Sequence, residues 1–164
     1  MNTSVGPLKL AEKYWGDIPV PVFRILEELG LGPERDFLDE NVSGWIERLP
    51  NGSYGVMVNA AHAPVRQRFT AAHELGHYIY HRDLLGAGTG DTRAYRAEGT
   101  RLPNGAIRPG HERQANSFAA NLLMPLGSIT ALKAQGITTV SALAARLDVS
   151  QDAMRIRLGL PRAL

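Results

Sequence analysis

The residues best suited to chemistry are two histidines and a glutamate within one short stretch, His73-Glu74-Leu75-Gly76-His77. On a helix, residues i and i+4 share a face, so the rings of His73 and His77 can converge on one metal ion. Glu74 then lies beside the first ligand, where a carboxylate can take a proton from water that the metal activates. The stretch predicts a metal-dependent hydrolytic site with Glu74 as the general base.

A catalytic zinc site takes three protein ligands and keeps one position open, so a further ligand must come from another part of the chain. There is no cysteine, which leaves His, Asp or Glu. His81 shares the helix face, but it lies two turns beyond His73, roughly 12 Å of helix rise. One ion cannot bind both ends of that span, so we expect His81 to pack or to hydrogen-bond near the end of the helix.

Glu112 is the best candidate for the third ligand. It heads a face of a second predicted helix that otherwise carries Ala115, Asn116 and Ala119. A carboxylate is costly to bury on such a face unless a cation pairs with it. Asn116 could accept a hydrogen bond from the free N–H of a ligating histidine. Acids are also favoured in the first turn of any helix, and periodicity alone leaves both interpretations of Glu112 open.

The elements that must position these residues are readable from hydrophobic spacing. Partial alternation around a Pro-Asn-Gly turn predicts a β-hairpin over residues 41–61. Residues 84–109 are rich in glycine, arginine and proline, which predicts a long irregular connection. Helical spacing of apolar residues recurs in three stretches, residues 20–30, 70–80 and 110–125.

The end of the chain predicts two short helices, with Thr139 or Ser141 capping the first and Ser150 the second. Such a pair is also typical of DNA-binding helix-turn-helix units, and Arg155 and Arg157 could meet phosphates. The net charge is only +2, and no clear set of base-reading residues appears. Packing or contact with a partner is therefore favoured over direct DNA binding.

The chain of 164 residues, 44% hydrophobic and 21% charged, is long enough for one domain with its own core. We expect an N-terminal arm at 1–19, a catalytic domain at 20–127 and a helical segment at 128–164. The first residues lack the apolar core of a signal peptide, and no run approaches the roughly 18 apolar residues of a membrane span. A cytoplasmic protein without a membrane partner is expected.

The stretch "RQRFTAAHELGHYIYH", with "GVMVNA" upstream and "HERQANSFAANLLMP" downstream, resembles the ImmA/IrrE family of metallopeptidases over about residues 20–158. The resemblance implies an α+β fold, with a zincin-like core, a small antiparallel sheet beside the HExxH helix and a C-terminal helix-turn-helix-like pair. It implies a gluzincin-like Zn²⁺ site with His73, His77 and Glu112 as ligands and Glu74 as the catalytic base.

The function implied is that of a zinc-dependent endopeptidase. Its protein substrate would be a helix-turn-helix (XRE-like) repressor encoded nearby, which it cleaves or inactivates in a stress-response, mobile-element or toxin–antitoxin setting. The alternative is a DNA-binding or protein-binding regulator with a non-catalytic zinc site. The donor that assists the developing oxyanion stays open among Tyr78, Tyr95, His111 and the arginines of the 82–111 connection.

Overall fold

The computed structural model describes residues 6–86, 93–97 and 106–163, with residues 93–97 described by their backbone. Helices and a mixed sheet are both present, so the predicted α+β class is confirmed. A short 3-10 helix, Arg82–Gly86, follows α3. In chain order the other elements are α1 Pro7–Lys13, α2 Val22–Glu28, β1 Glu34–Asp36, β2 Val42–Arg48, β3 Tyr54–Asn59, α3 Pro64–Tyr80, β4 Arg93–Ala97, α4 Pro109–Leu123, α5 Leu126–Ala134, α6 Val140–Leu147 and α7 Gln151–Arg157.

The sheet has the strand order β1-β3-β2-β4. Strands β2 and β3 pair antiparallel, with Gly44 opposite Val58 and Arg48 opposite Tyr54, which confirms the predicted hairpin. Gly52 turns the chain between them with a φ of 84°, a conformation that glycine adopts without strain. Strand β1 pairs parallel with β3, so the sheet is antiparallel except at this edge.

Strand β4 pairs antiparallel with β2. It lies within the 84–109 connection that the sequence predicts to be irregular, and the prediction is wrong for residues 93–97. A five-residue strand at a sheet edge takes its register from its partner strand. Its own hydrophobic pattern is too short to predict the strand from sequence.

Helix α3 packs between the sheet and α4, and the buried side chains of Ile46, Val58 and Leu75 lie in this layer. Gly44 of β2 permits the close approach. A Cβ atom there would clash with the Met57 carbonyl oxygen and would lie 2.9 Å from Cγ2 of Thr70 on α3. Because Gly44 has no side chain, the sheet can lie this close to the helix that carries both histidines.

The first described residues form a helix that packs on the rest of the protein. Ala11 of α1 and Tyr14 just beyond it are buried in the core. The Tyr14 hydroxyl donates to Glu28 of α2, and the Trp15 indole N–H donates to the Asn121 carbonyl oxygen at 3.1 Å. The described part of the expected N-terminal arm is therefore in contact with both α2 and α4.

The two C-terminal helices begin at capping side chains. The Thr139 hydroxyl oxygen accepts from the Ala142 N–H at 3.1 Å, and that of Ser150 accepts from the Ala153 N–H at 3.0 Å. Thr139 is thus the N-cap that the sequence left open between two residues.

The C-terminal pair is tied to α3 by the buried guanidinium of Arg68. Its Nε–H donates to the Asp148 carbonyl oxygen at 3.1 Å, and its Nη2 donates to the Val20 carbonyl oxygen at 3.0 Å. An Asp148 carboxylate oxygen lies 3.3 Å from Nε. One side chain therefore joins three segments that are far apart in the chain. Within the ranges given above, no helix combines the length and the apolar character that crossing a bilayer requires.

Candidate metal centre

The centre is built on the buried face of α3. His73, Glu74 and His77 are at most 1% exposed, although all three are polar. Pro64 occupies the first turn of this helix, where its missing N–H leaves no hydrogen bond unmade. Seventeen residues of unbroken helix then carry the two histidines to the same face, one turn apart.

Glu112, in the first turn of α4, faces both rings. Its Oε2 lies 3.0 Å from Nε2 of His73, and its Oε1 lies 2.7 Å from Nε2 of His77. One ligand atom from each of the three residues falls within 4.8 Å of the other two. The structure thus brings together the three residues that the sequence suggests as metal ligands.

A glycine lets α4 approach α3 closely enough for this arrangement. A Cβ atom at Gly76 would lie 3.1 Å from the Cα of Ala115 and 3.2 Å from a ring carbon of Phe118. Glycine in a helix interior costs roughly 1 kcal/mol relative to alanine. Its presence here has a packing reason, because the helix crossing at Gly76 and Ala115 carries Glu112 towards the histidines.

Asn116 orients the first histidine. Its Oδ1 lies 2.8 Å from Nδ1 of His73, the contact that the sequence suggests. Because an amide oxygen only accepts, Nδ1 of His73 carries the proton, and the lone pair of the ring is on Nε2. That lone pair points towards Glu112.

A second chain of hydrogen bonds orients His77. Nδ1 of His77 lies 2.9 Å from Nδ1 of His81, and Nε2 of His81 lies 2.7 Å from Oε1 of Gln114. The Gln114 oxygen accepts from His81 Nε2–H, so His81 Nδ1 accepts from His77 Nδ1–H. The Nε2 lone pair of His77 is then directed at Glu112, as in His73.

His81 therefore caps the end of α3 and hydrogen-bonds to its neighbours, as expected, while its ring also determines the tautomer of His77. The spacing of four residues between these histidines is a sequence signal for that contact. Gln114 was missed, because a polar residue on an exposed part of a helix is unremarkable in a sequence.

The electrostatics of the centre favour an ionised Glu112 and a neutral His77. Burial on its own would raise the pKa of Glu112, but the His73 and His77 rings beside its carboxylate lower it to about 2. Burial lowers the pKa of His77, more than its contact with Glu112 raises it. Burial likewise lowers the pKa of His81, against the opposing hydrogen bond to Gln114.

The donor set fits a zinc ion. Nε2 of His73 has no hydrogen-bond partner among the described residues, although a carboxylate oxygen of Glu112 lies 3.0 Å away. Two nitrogen lone pairs and two carboxylate oxygens facing one another repel unless a cation lies between them. Two imidazoles and a carboxylate are ligands that zinc binds in catalytic sites.

The candidate donors to the oxyanion have the following contacts in the structure. The ring of Tyr78 contacts Tyr54 edge to face, with centroids 5.5 Å apart, and the Arg82 guanidinium lies 4.8 Å from its centroid. The His111 ring lies 4.8 Å from that of His81, and its Nδ1 accepts from the Arg108 N–H. The side chains of Arg93, Tyr95 and Arg96 are not described, and residue 101 lies outside the described residues.

A family model for peptidase family M78, described as an IrrE N-terminal-like domain, matches residues 34–159, a span that contains His73, Glu74, His77 and Glu112. None of the curated proteins matches the chain.

Among solved structures, a transcriptional regulator of Mycobacterium tuberculosis has a similar fold. The TM-score is 0.61 with 18% sequence identity over 94% of this chain. The chain spans only 46% of that protein's length. At this identity the likeness shows a shared fold.

Proposed function

Because the chain belongs to peptidase family M78, whose model is described as an IrrE N-terminal-like domain, we propose that it is a zinc-dependent endopeptidase. The observation that carries the proposal is the convergence of two histidine nitrogens and a carboxylate on one point, within 4.8 Å of one another. The family name supports peptide hydrolysis, and the ligand chemistry supports zinc as the metal.

In this proposal His73, His77 and Glu112 hold the ion, while Asn116 and His81 fix the rings in the tautomers that present Nε2. A zinc ion held there supplies Lewis acidity, which activates water and polarises a peptide carbonyl. Glu74 follows His73 directly in the chain and is fully buried. Its carboxylate is the base that accepts the proton of the attacking water and later delivers it to the leaving amine.

We further propose that the substrate is a helix-turn-helix repressor of the XRE-like class, encoded beside this protein, in a stress-response, mobile-element or toxin–antitoxin setting. The support is the family resemblance, together with a structural relative that is named a transcriptional regulator. Removal of such a repressor by cleavage would link a zinc-dependent hydrolysis to a change in transcription.

The proposal is tested by incubating the zinc-loaded protein with the regulator encoded next to it and mapping any cut by mass spectrometry. Chelator should abolish the cut. Glu74→Gln should retain zinc and fold while the rate falls by about 10²–10⁴, the usual contribution of a general base. Glu27→Gln, an exposed glutamate of α2, is the matched control and should cleave normally. Full activity of Glu74→Gln would place the base elsewhere.

The second candidate is a DNA-binding regulator with a non-catalytic zinc site, which the name of the structural relative favours. The net charge of only +2 and the lack of a clear set of base-reading residues weigh against it. Duplex binding that falls steeply with salt and ignores chelator, without any cleavage of the neighbouring regulator, would favour this candidate.

A further inference from the structure

A groove of about 900 Å³ begins at Asn116, the residue that contacts the His73 ring. Phe69 precedes His73 by one helical turn, and Ala120 follows Asn116 by one turn, so both lie on the faces that carry the metal centre. The groove therefore runs along the seam between α3 and α4 and passes the residue that contacts the His73 ring, while the three proposed ligands lie outside its lining. Its volume is in the range of ligand-binding clefts, roughly 300–1,000 Å³.

The third wall of the groove is α7. Ala153 and Ile156 line it from this helix, together with Val149 from the turn before it, while Met124 lies at the end of α4. Ile156 is 56% exposed, which is high for an isoleucine beside other apolar side chains. The groove consequently offers an apolar surface next to the metal centre that a large side chain can cover.

The charge of the lining is predominantly positive. Arg66, Arg157 and Arg162 contribute to it, against the single carboxylate of Asp152. The Arg157 guanidinium is held at the groove by its hydrogen bond to the Met124 carbonyl oxygen. An occupant with a carboxylate near its apolar side chain is complementary to this lining.

We propose that the groove binds the substrate polypeptide on one side of the scissile bond and selects a large apolar side chain with an acidic residue within two positions of it. The inference rests on the proposed function, because an endopeptidase must hold several residues of its substrate alongside the metal. It also gives the C-terminal helices a role, since α7 supplies one wall of the substrate site.

The test uses full-length Glu74→Gln protein loaded with zinc, so that binding is measured without cleavage. Random nonapeptides displayed on phage are selected on the immobilised protein, and enriched sequences are synthesised with a fluorophore. Their dissociation constants are then measured by fluorescence polarisation. Enriched peptides should pair a large apolar residue with Asp or Glu within two positions.

Two substitutions in the groove should weaken these peptides. Ile156→Asp should raise the dissociation constant about tenfold or more, because it removes apolar surface and adds a repelled carboxylate. Arg162→Glu should raise it about threefold to fivefold at low salt and less at high salt. Leu160→Asp and Arg146→Glu, exposed positions outside the lining, are the matched controls and should bind as the parent does. Zinc content and melting temperature verify that each variant is folded.

The outcomes separate the inference from the proposed function. In one outcome, the peptides bind in a groove-dependent way while the wild-type protein cleaves neither them nor the neighbouring regulator. That result would support the groove proposal and reject the proposed peptidase activity. Cleavage of the regulator, together with peptide dissociation constants that are unchanged in both groove variants, would support the proposed peptidase activity and overturn the groove proposal. The groove proposal is also overturned if no peptide is enriched, or if the two variants instead abolish binding of a 20-base-pair duplex or self-association of the protein.

Discussion

Nδ1 of His77 lies 2.9 Å from Nδ1 of His81, which is four residues further along the chain at the C-cap of α3. The second ring is 4% exposed and is itself held by Gln114, so it has little freedom to turn away. A residue that cannot reach the ion thereby determines which nitrogen of a proposed ligand faces it.

Replacement of His81 should weaken zinc binding more than it weakens the fold. We expect His81→Leu to raise the zinc dissociation constant about 10- to 100-fold, the usual effect of losing the partner of a ligating histidine. His81→Asn keeps an acceptor oxygen and should recover part of the affinity. Competition with a chromophoric chelator measures both constants. Tyr80→Phe, at the exposed neighbouring position, is the control, and an unchanged constant in His81→Leu would contradict the orienting role.

Zinc should stabilise the folded chain. At a free zinc concentration about 100 times the dissociation constant, linkage supplies about 2.7 kcal/mol, which raises the melting temperature by about 5–10 °C for a chain of this size. Glu112→Gln should lose most of that shift, because a neutral amide replaces the carboxylate between the two rings. Differential scanning calorimetry with zinc and with chelator measures the shift in melting temperature for both proteins. An equal shift in wild type and in Glu112→Gln would remove Glu112 from the ligand set.

Gly76→Ala should destabilise the protein despite the better helix propensity of alanine. Overpacking against Ala115 and Phe118 costs about 1–3 kcal/mol, and propensity offsets about 1 kcal/mol of it. Gly127→Ala in α5, where a methyl group meets nothing within 4 Å, is the control and should be neutral or stabilising. Urea unfolding of both variants measures the difference. A Gly76→Ala variant as stable as wild type would mean that α4 can shift without cost.

Arg68→Met should destabilise the protein by about 2–4 kcal/mol. The substitution removes a charged donor from the carbonyl oxygen of Asp148 and from that of Val20, which keeps only the Val22 N–H, and a hydrogen bond to a charged group contributes about 1.5–3 kcal/mol. Arg24→Met, which breaks an exposed ion pair with Glu28, should unfold at the same denaturant concentration as wild type. Equal midpoints for the two variants would show that the Arg68 contacts do not contribute to stability.

Much of the fold follows from local sequence patterns. The hairpin and the two long helices are encoded by spacing within a dozen residues and by the glycine turn at Gly52. The parallel pairing of β1 and the addition of β4 depend on contacts between segments that are distant in the chain, and three to five residues carry too little pattern to reveal them.

Some residues of the metal centre are easier to predict from the sequence than others. The spacing of His73 and His77 is sufficient for their convergence, whereas the distance of Glu112 from them depends on how closely two helices pack. That approach is determined by Gly76 and Ala115, and nothing local in the sequence distinguishes this glycine from any other. The assignment of Glu112 as a ligand and of Glu74 as the base stays a prediction that the substitutions above test.

The buried guanidinium of Arg68 has a consequence for how the chain can be divided. A fragment cut at the expected boundary, residue 127, would retain the three proposed ligands and the base. It would lose the carbonyl and the carboxylate of Asp148, and of the Arg68 contacts described above only the hydrogen bond to the Val20 carbonyl oxygen would remain. We therefore expect the smallest stable piece that carries the proposed ligands to extend beyond Asp148.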